Sequence, residues 1–327
     1  MKKAGLIVFF AILLAGCAPR GAFLPPVQGE STIAEMYLVT NRLSDGPFRF
    51  SGQATSSLQR MRYEVTVPLS RTTGEIAYAA RARDRFGIAA ASEYDTAAEF
   101  YQTLGKSGAK DDAIGVFVHG FNTNVPEALY RHTQIAADFG RLGPQITFAW
   151  PSAGSPTGYL ADRDAANASR DALAGFLVEL ARAQDRPMVL VAHSMGAYLA
   201  MEALRQLALS KQDITPQLAA VVLISPDIDI EVFRTQFERL SPKPDPFLVL
   251  ASRSDRALRL SSRLSGESER LGSPDDFDQL RGMGIVVLDF SDVRGGDRSG
   301  HFSAVTSPEA IAMLQGLMAS ELISVER

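Results

Sequence analysis

The sequence predicts an α/β protein, with a mostly parallel sheet covered by helices on both faces. Two observations carry this. From Ala113 onward, short apolar runs of strand length alternate with helical patterns. His119, Trp150, Ser194, Asp227, Asp255 and His301 each fall just past the end of such a run. In sheets of this kind the reactive residues gather at the carboxyl ends of the strands. A single shared edge argues for one domain.

The elements follow in order. Residues 36–40 and 63–68 read as strands, the second alternating as a strand with one solvated face does. Between them, residues 43–58 are rich in Ser, Gly and Pro and are expected to loop. A short helix is expected over 95–104. Residues 114–118 form an apolar strand. Asn124 suits a helix cap, with Pro126 and Glu127 in the first turn of a helix running to about residue 142. Residues 146–149 are the next strand. A loop with Gly154, Pro156 and Gly158 leads to a helix over about 164–184; the stretch 151–164 is a candidate lid segment. Residues 188–191 are β-type and a helix runs from 197 to 209. Strands at 220–224, 247–251 and 285–288 follow. Ser307-Pro308-Glu309 opens a last helix. No internal repeat is present.

The first residues are not part of this domain. Lys2 and Lys3 precede an apolar run over 4–15 that is too short for a stable membrane-spanning helix, and small residues follow. That is the pattern of a secretory signal. Leu14-Ala15-Gly16-Cys17 resembles the bacterial lipobox, in which cleavage leaves the cysteine as the lipidated first residue. Cys17 is the only cysteine, so no internal disulfide can form and a packed core must hold the fold. Ala18 follows where lipoproteins kept at an inner membrane often carry Asp. The resemblance therefore implies an exported protein anchored in the envelope at an outer membrane, facing the periplasm. The expected organisation is a signal peptide over 1–16, a lipidated cysteine with a flexible tether over 17–34, and one domain over 35–327.

The formal charge is −4, and arginines alternate with acids throughout, without a basic stripe. A nucleic-acid partner is not expected. No histidine or carboxylate pair has metal-ligand spacing, and no glycine-rich phosphate loop appears, so neither metal nor cofactor is expected. A hydrophobic content of 46% is enough for a sizeable core.

Ala192-His193-Ser194-Met195-Gly196 lies between the 188–191 run and the 197–209 helix. A serine on so tight a strand-to-helix turn, with small residues two positions either side, has the form of a nucleophile elbow. The turn pushes the hydroxyl out of the sheet. It also aims the amide of Met195 to where an oxyanion would form, at the positive end of the new helix. Ala192 takes the slot usually held by glycine. Taken alone, a serine capping a helix would explain the same five residues.

A serine nucleophile needs a base, and the base needs a group that fixes its tautomer. Among four histidines, His132 lies within a helix pattern and reads as a surface or half-buried residue. His193 adjoins the serine, but its side chain should point away, which suits packing. His301, in Gly300-His301-Phe302 after the last strand, suits a base on a mobile loop better than His119 does. Asp255 and Asp227 compete for the third position; both follow strand ends, and each could instead cap a helix. Gly120 lets the chain bend so that the amide of Phe121 faces inward as a second oxyanion donor. His119, Trp150, Tyr159 and Phe302 are candidates for lining a substrate groove, with packing under loops the alternative for the aromatic rings.

Together Val118-His119-Gly120-Phe121-Asn122, Phe148-Ala149-Trp150-Pro151-Ser152, the elbow pentapeptide, Ser225-Pro226-Asp227-Ile228-Asp229 and Ser254-Asp255-Arg256-Ala257-Leu258 resemble the α/β-hydrolases. Within them the chain is similar to a bacterial esterase/lipase-like group of unknown function. Tyr37-Leu38-Val39-Thr40-Asn41-Arg42 resembles that group's opening strand, and the likeness spans about 35–325. The resemblance implies Ser194 as nucleophile, Asp255 as acid, His301 as base, and Phe121 and Met195 as oxyanion amides. It implies hydrolysis of a small-molecule or lipid ester through a covalent acyl-enzyme. Acyl transfer and amide cleavage suit the same residues. A different class, a catalytically silent envelope scaffold, is the competing expectation, kept open by Ala192 and by the lack of an obvious lid.

Overall fold

The computed structural model describes residues 20–319, apart from 80, 141, 142, 267, 276 and 298. The expected signal peptide and Cys17 lie outside the described residues.

Nine strands form one mixed sheet in the order β3-β2-β1-β5-β4-β6-β7-β8-β9. The strands are β1 (Ser31–Ser44), β2 (Phe50–Pro68), β3 (Gly87–Glu93), β4 (Ile114–Val118), β5 (Gln145–Ala149), β6 (Met188–His193), β7 (Leu218–Ile224), β8 (Phe247–Ala251) and β9 (Val286–Asp289). From β1 through β9 every pairing is parallel, and only β2 is antiparallel to its neighbours. The central strands are mostly apolar and almost entirely buried, as strands covered on both faces must be.

Helices α1 (Ala97–Leu104), α2 (Val125–Asp138), α3 (Tyr159–Ala168), α4 (Arg170–Ala183), α5 (Met195–Leu209), α6 (Ile230–Glu238), α7 (Arg256–Leu264), α8 (Asp278–Arg281), α9 (Ser303–Thr306) and α10 (Pro308–Ala319), with a short 3-10 helix at Thr215–Gln217, complete the described elements. The main core joins β4–β8 to α4 and α5, with Phe148 stacked near Phe176. On the opposite face Ile224, Leu250 and Val222 meet Ile135 and Phe139 from the end of α2, and Ala310 and Leu314 of α10. Among the described residues no helix is long and apolar enough to cross a membrane.

Four departures from the sequence expectations have physical causes. Residues 43–58 are not a loop: β1 and β2 form a hairpin that pairs Thr40 with Gln59 and, past two register shifts, Ser44 with Phe50. The outer half of β2 is solvated on both faces, so no apolar alternation marks it. Edge strand β3 is built of Gly and Ala and carries no β-branched signal beyond Ile88. The long helix expected over 164–184 is two helices that begin earlier and break at Ser169. The fully buried hydroxyl of Ser169 accepts from Asn41 Nδ2 at 2.9 Å and donates back to the Ala165 carbonyl at 2.8 Å.

The fourth departure is the expected flexible tether. From residue 20 the chain is docked. Arg20 reaches the Asn122 side chain (2.9 Å), the Asn122 carbonyl (3.1 Å) and Glu127 (2.7 Å). The Gly21 amide donates to Glu127 at 2.9 Å, and the Phe23 ring stacks on Tyr63. A side chain at Gly21 would strike Glu127 Cγ, so this close approach requires glycine. Gly and Pro there mark a fitted strap, and composition alone cannot tell that from a linker.

Candidate active site

Three strand ends at the carboxyl edge carry strained backbone. Asn122 after β4, Ser194 after β6 and Ser225 after β7 have φ of 55°, 54° and 43°. Each such conformation costs on the order of 1–3 kcal/mol for a residue with a side chain, and persists only where the surroundings enforce it. At Ser194 the enforcement is visible. Its amide donates to the Ile224 carbonyl (3.0 Å), and its carbonyl accepts from the Asp227 amide (3.2 Å). Its hydroxyl makes no capping bond to the helix it opens, although serine is a favoured cap. The turn holds this side chain away from its usual structural role.

Two glycines allow the elbow to close. A Cβ on Gly196 would lie 2.2 Å from the His119 carbonyl oxygen and 2.5 Å from that of Val118, so the first turn of α5 rests on the end of β4. A Cβ on Gly120 would lie 2.9 Å from Ser194 Cβ and 2.7 Å from His193 Nδ1. Residues 119–121 therefore run directly against the serine. The obstruction at Gly196 is backbone and cannot swing aside. Gly196→Ala is expected to lower unfolding free energy by about 1–3 kcal/mol, measured by urea denaturation.

The loop carrying Phe121 is clamped by Asp162, fully buried in the first turn of α3. Its carboxylate accepts from the Asn122 amide (3.0 Å), the Ser152 hydroxyl (2.6 Å) and the Ala153 amide (2.6 Å). Buried Arg42 donates to the Ser152 carbonyl at 2.5 Å; burial pulls its pKa down to about 10 against the Asp162 charge. The Asp162 carboxylate thus ties the start of the 151–164 stretch to the first turn of α3. The amide of Met195, at the first position of α5, has no acceptor within its own helix.

Asp255 and His301 are brought together. His301 Nδ1 lies 2.7 Å from Asp255 Oδ2. The other carboxylate oxygen accepts from the amides of Ala257 (2.9 Å) and Leu258 (3.0 Å), so the fully buried aspartate also caps α7. Burial pulls the His301 pKa down. The hydrogen bond and charge of Asp255, with Asp227 and Asp297 behind, outweigh it, and the net shift is upward. The loop around His301 is organised by Asp297, which accepts from the amides of Ser299 (3.1 Å), His301 (3.2 Å) and Phe302 (2.7 Å). His193, the neighbour of Ser194, meets His301 directly: ring centroids are 4.6 Å apart, and His193 Nε2 lies 3.3 Å from the His301 carbonyl oxygen. The same ring stacks on Phe302 at 3.7 Å.

Asp227 lies elsewhere in the network. It accepts from the Ser261 hydroxyl (2.5 Å) and the Tyr159 hydroxyl (2.8 Å) and pairs with buried Arg270 (3.3 Å). Tyr159 is half-buried, its ring edge-on to Phe121 at 5.5 Å. Burial, and then the Asp227 charge, raise its pKa.

Trp150 and His119 correct the expected groove. Both are buried, with rings stacked at 4.9 Å; the indole N–H donates to the His119 carbonyl at 2.7 Å. The two nitrogens of His119 face the carbonyls of Gly120 (2.9 Å) and Trp150 (3.2 Å). Burial lowers its pKa to about 4. The pair forms a floor beneath the loop, held by the indole bond to the His119 carbonyl and by the stacking of the two rings. His132, expected at or near the surface, is buried too. It lies against Phe117, between Thr147 Oγ1 (3.0 Å) and Gln145 Oε1 (3.1 Å), and burial takes its pKa down to about 3. The sheet-facing side of α2 encloses it.

Asp162 and Asp297 are missed by sequence reasoning. Aspartate four residues before His301, in a glycine-rich stretch, is a signal for loop-turn chemistry that could have found the second. No local pattern marks the first.

Residues 92–319 match the model of a family described as alpha/beta hydrolase of unknown function (DUF900). The chain belongs to this family. The sheet order and the helices on both faces agree with an alpha/beta hydrolase fold. A comparison with curated protein sequences finds no match. Among solved structures, this alpha/beta hydrolase is similar to carboxyl esterase 2 of Tuber melanosporum at 11% identity, covering 94% of this chain and 91% of that one, with a TM-score of 0.42. It is similar to an esterase of Pyrobaculum calidifontis at 11% identity, covering 92% and 87%, with a TM-score of 0.39. A Thermus thermophilus protein is similar at 13% identity, covering 67% and 92%, with a TM-score of 0.41.

Proposed function

We propose that this alpha/beta hydrolase cleaves carboxylic esters through a covalent acyl-enzyme, with Ser194 as nucleophile, His301 as base and Asp255 as its orienting acid. The observation carrying this reading is the 2.7 Å pair of His301 and Asp255, with His193 packed on His301 and, one residue after His193 along the chain, a strained serine whose hydroxyl caps no helix amide. With Nδ1 committed to Asp255, neutral His301 has its lone pair on Nε2. It takes the hydroxyl proton as Ser194 Oγ bonds to the ester carbonyl carbon. The oxyanion is held by the amides of Phe121 and Met195. Collapse breaks the bond to the alkoxy oxygen, which leaves with the proton from His301. Water then adds to the acyl-enzyme by the same route, giving the acid and restoring Ser194.

The test is labelling with a fluorophosphonate. One adduct per chain, mapped to Ser194, is expected; an unlabelled, folded protein would leave only a scaffold. The His301 shift adds a second expectation. The base works when neutral and its pKa is raised. Turnover per KM should therefore climb with pH through a midpoint above the ordinary histidine value of about 6.5. We read the Leu14–Cys17 lipobox as placing the enzyme on an envelope membrane, at the outer membrane facing the periplasm.

A further inference from the structure

Helix α7 starts at the aspartate that holds His301, and its exposed face has an unusual make-up. At 100° per residue, Arg259, Arg263, Arg256, Leu260 and Leu264 follow one another around the solvent side, while Leu258 and Ser261 face inward. Leu260 is 58% exposed and Leu264 61% exposed. None of the three arginines forms a salt bridge among the described residues. The acids beside them, Glu269 and Asp275, share the groove on the arginine side, and there Glu269 accepts from the Asp275 amide. The leucine edge is the one nearer Ser261, whose hydroxyl lies 2.9 Å from that of Tyr159. Leu160, 74% exposed, is the next residue along α3. Three leucines in water and three cations without ion-pair partners therefore border the catalytic edge. Leucine beside arginine on one short helix is the chemistry of an interfacial contact, in which apolar groups enter the acyl boundary and guanidinium groups meet lipid phosphates.

We propose that the exposed face of α7, with Leu160, docks on an anionic bilayer surface and presents Ser194 to an ester held in that bilayer. Charge complementarity selects the occupant. The face is cationic while the whole chain carries a net negative charge of −4, so the remainder of the surface is repelled by the same lipids. The chain also enters the fold on this edge. Arg20 bonds to Asn122, Asn122 adjoins Phe121, and Phe121 touches Tyr159. Arg20 is three steps along the chain from Cys17, a reach of at most about 10–11 Å. A lipid on Cys17 and the face of α7 would meet one membrane together. The substrate class, a bilayer-resident ester, rests on the esterase reading; the docking does not.

The experiment uses the full chain with Cys17→Ser, in which Leu264→Cys is the sole thiol and carries a solvatochromic fluorophore. It is mixed with vesicles of phosphatidylcholine containing about one-third phosphatidylglycerol. A blue shift is expected, absent with phosphatidylcholine alone and reversed by high salt. Arg256→Glu, Arg259→Glu and Arg263→Glu together should raise the lipid concentration for half-maximal shift by about a hundredfold or more, with unfolding at the parent's temperature. An unchanged emission on anionic vesicles overturns the proposal. An equal shift on both kinds of vesicle overturns the charge selection. A shift without vesicles that grows with protein concentration marks self-association and overturns it as well. Ser194 takes no part in this measurement, so failed docking and failed fluorophosphonate labelling are separate results.

Discussion

Ser194→Ala should abolish ester turnover, lowering kcat by about five to six orders of magnitude, while the protein unfolds at nearly its original denaturant midpoint. The kinetic half follows from the role proposed for the hydroxyl. Without Oγ no acyl-enzyme forms, and the amides proposed to hold the oxyanion can accelerate attack by free water only modestly. The stability half follows from the structure. The side chain caps no helix amide, so its removal orphans no backbone donor. Alanine at φ 54° is as strained as serine, so the backbone term is unchanged as well. The measurement pairs burst-phase ester kinetics with urea denaturation. Loss of turnover with a collapsed denaturation midpoint would assign Ser194 to structure, and retained turnover would remove it from the chemistry.

Asp255→Asn should lower kcat by about four orders of magnitude and move the pH–rate midpoint downward. Asparagine keeps an oxygen for the amides of Ala257 and Leu258, so the cap of α7 survives. The group facing His301 becomes an amide N–H, which favours the tautomer with its lone pair on Nδ1 and the proton on Nε2. That tautomer cannot accept the Ser194 proton. Removing the carboxylate also removes a main cause of the raised His301 pKa, and burial then dominates. Asp227→Asn is the contrast. Asp227 bonds to Ser261, Tyr159 and Arg270 rather than to His301, so its loss should leave the tautomer intact and act mainly on stability, through a buried Arg270 deprived of its charge partner. A larger kinetic loss in Asp227→Asn than in Asp255→Asn would reverse the two roles.

The alpha/beta fold is legible where burial writes it directly. Strands β4 to β8 are covered on both faces, so they appear as apolar runs ending in small or polar residues. The outer hairpin is less legible because main-chain pairing, rather than side-chain burial, holds its distal half. Ser194, Asp227, Asp255 and His301 can each be named as candidates from the sequence, because position after a strand end is a local property, but that position does not choose between the two aspartates. Their supports cannot be named that way. Asp162 reaches back to Asn122 across forty residues, and Arg20 reaches the same residue from the chain's other side. Such ties depend on which loops the sheet order brings side by side, and no window of sequence contains that order. The histidines show the same limit. His119, His132 and His193 are all buried, yet what decides their chemistry is the carbonyl, amide or ring that happens to face each one.

The lock between His119 and Trp150 has a practical outcome, since Trp150 is the sole tryptophan in the chain. All indole emission comes from a single ring in the floor beneath the loop of residues 119–121, buried and stacked in the native state. Fluorescence colour is therefore a local gauge of that floor. Loosening of the elbow and its neighbouring loop would redden the light before circular dichroism registered any loss of helix.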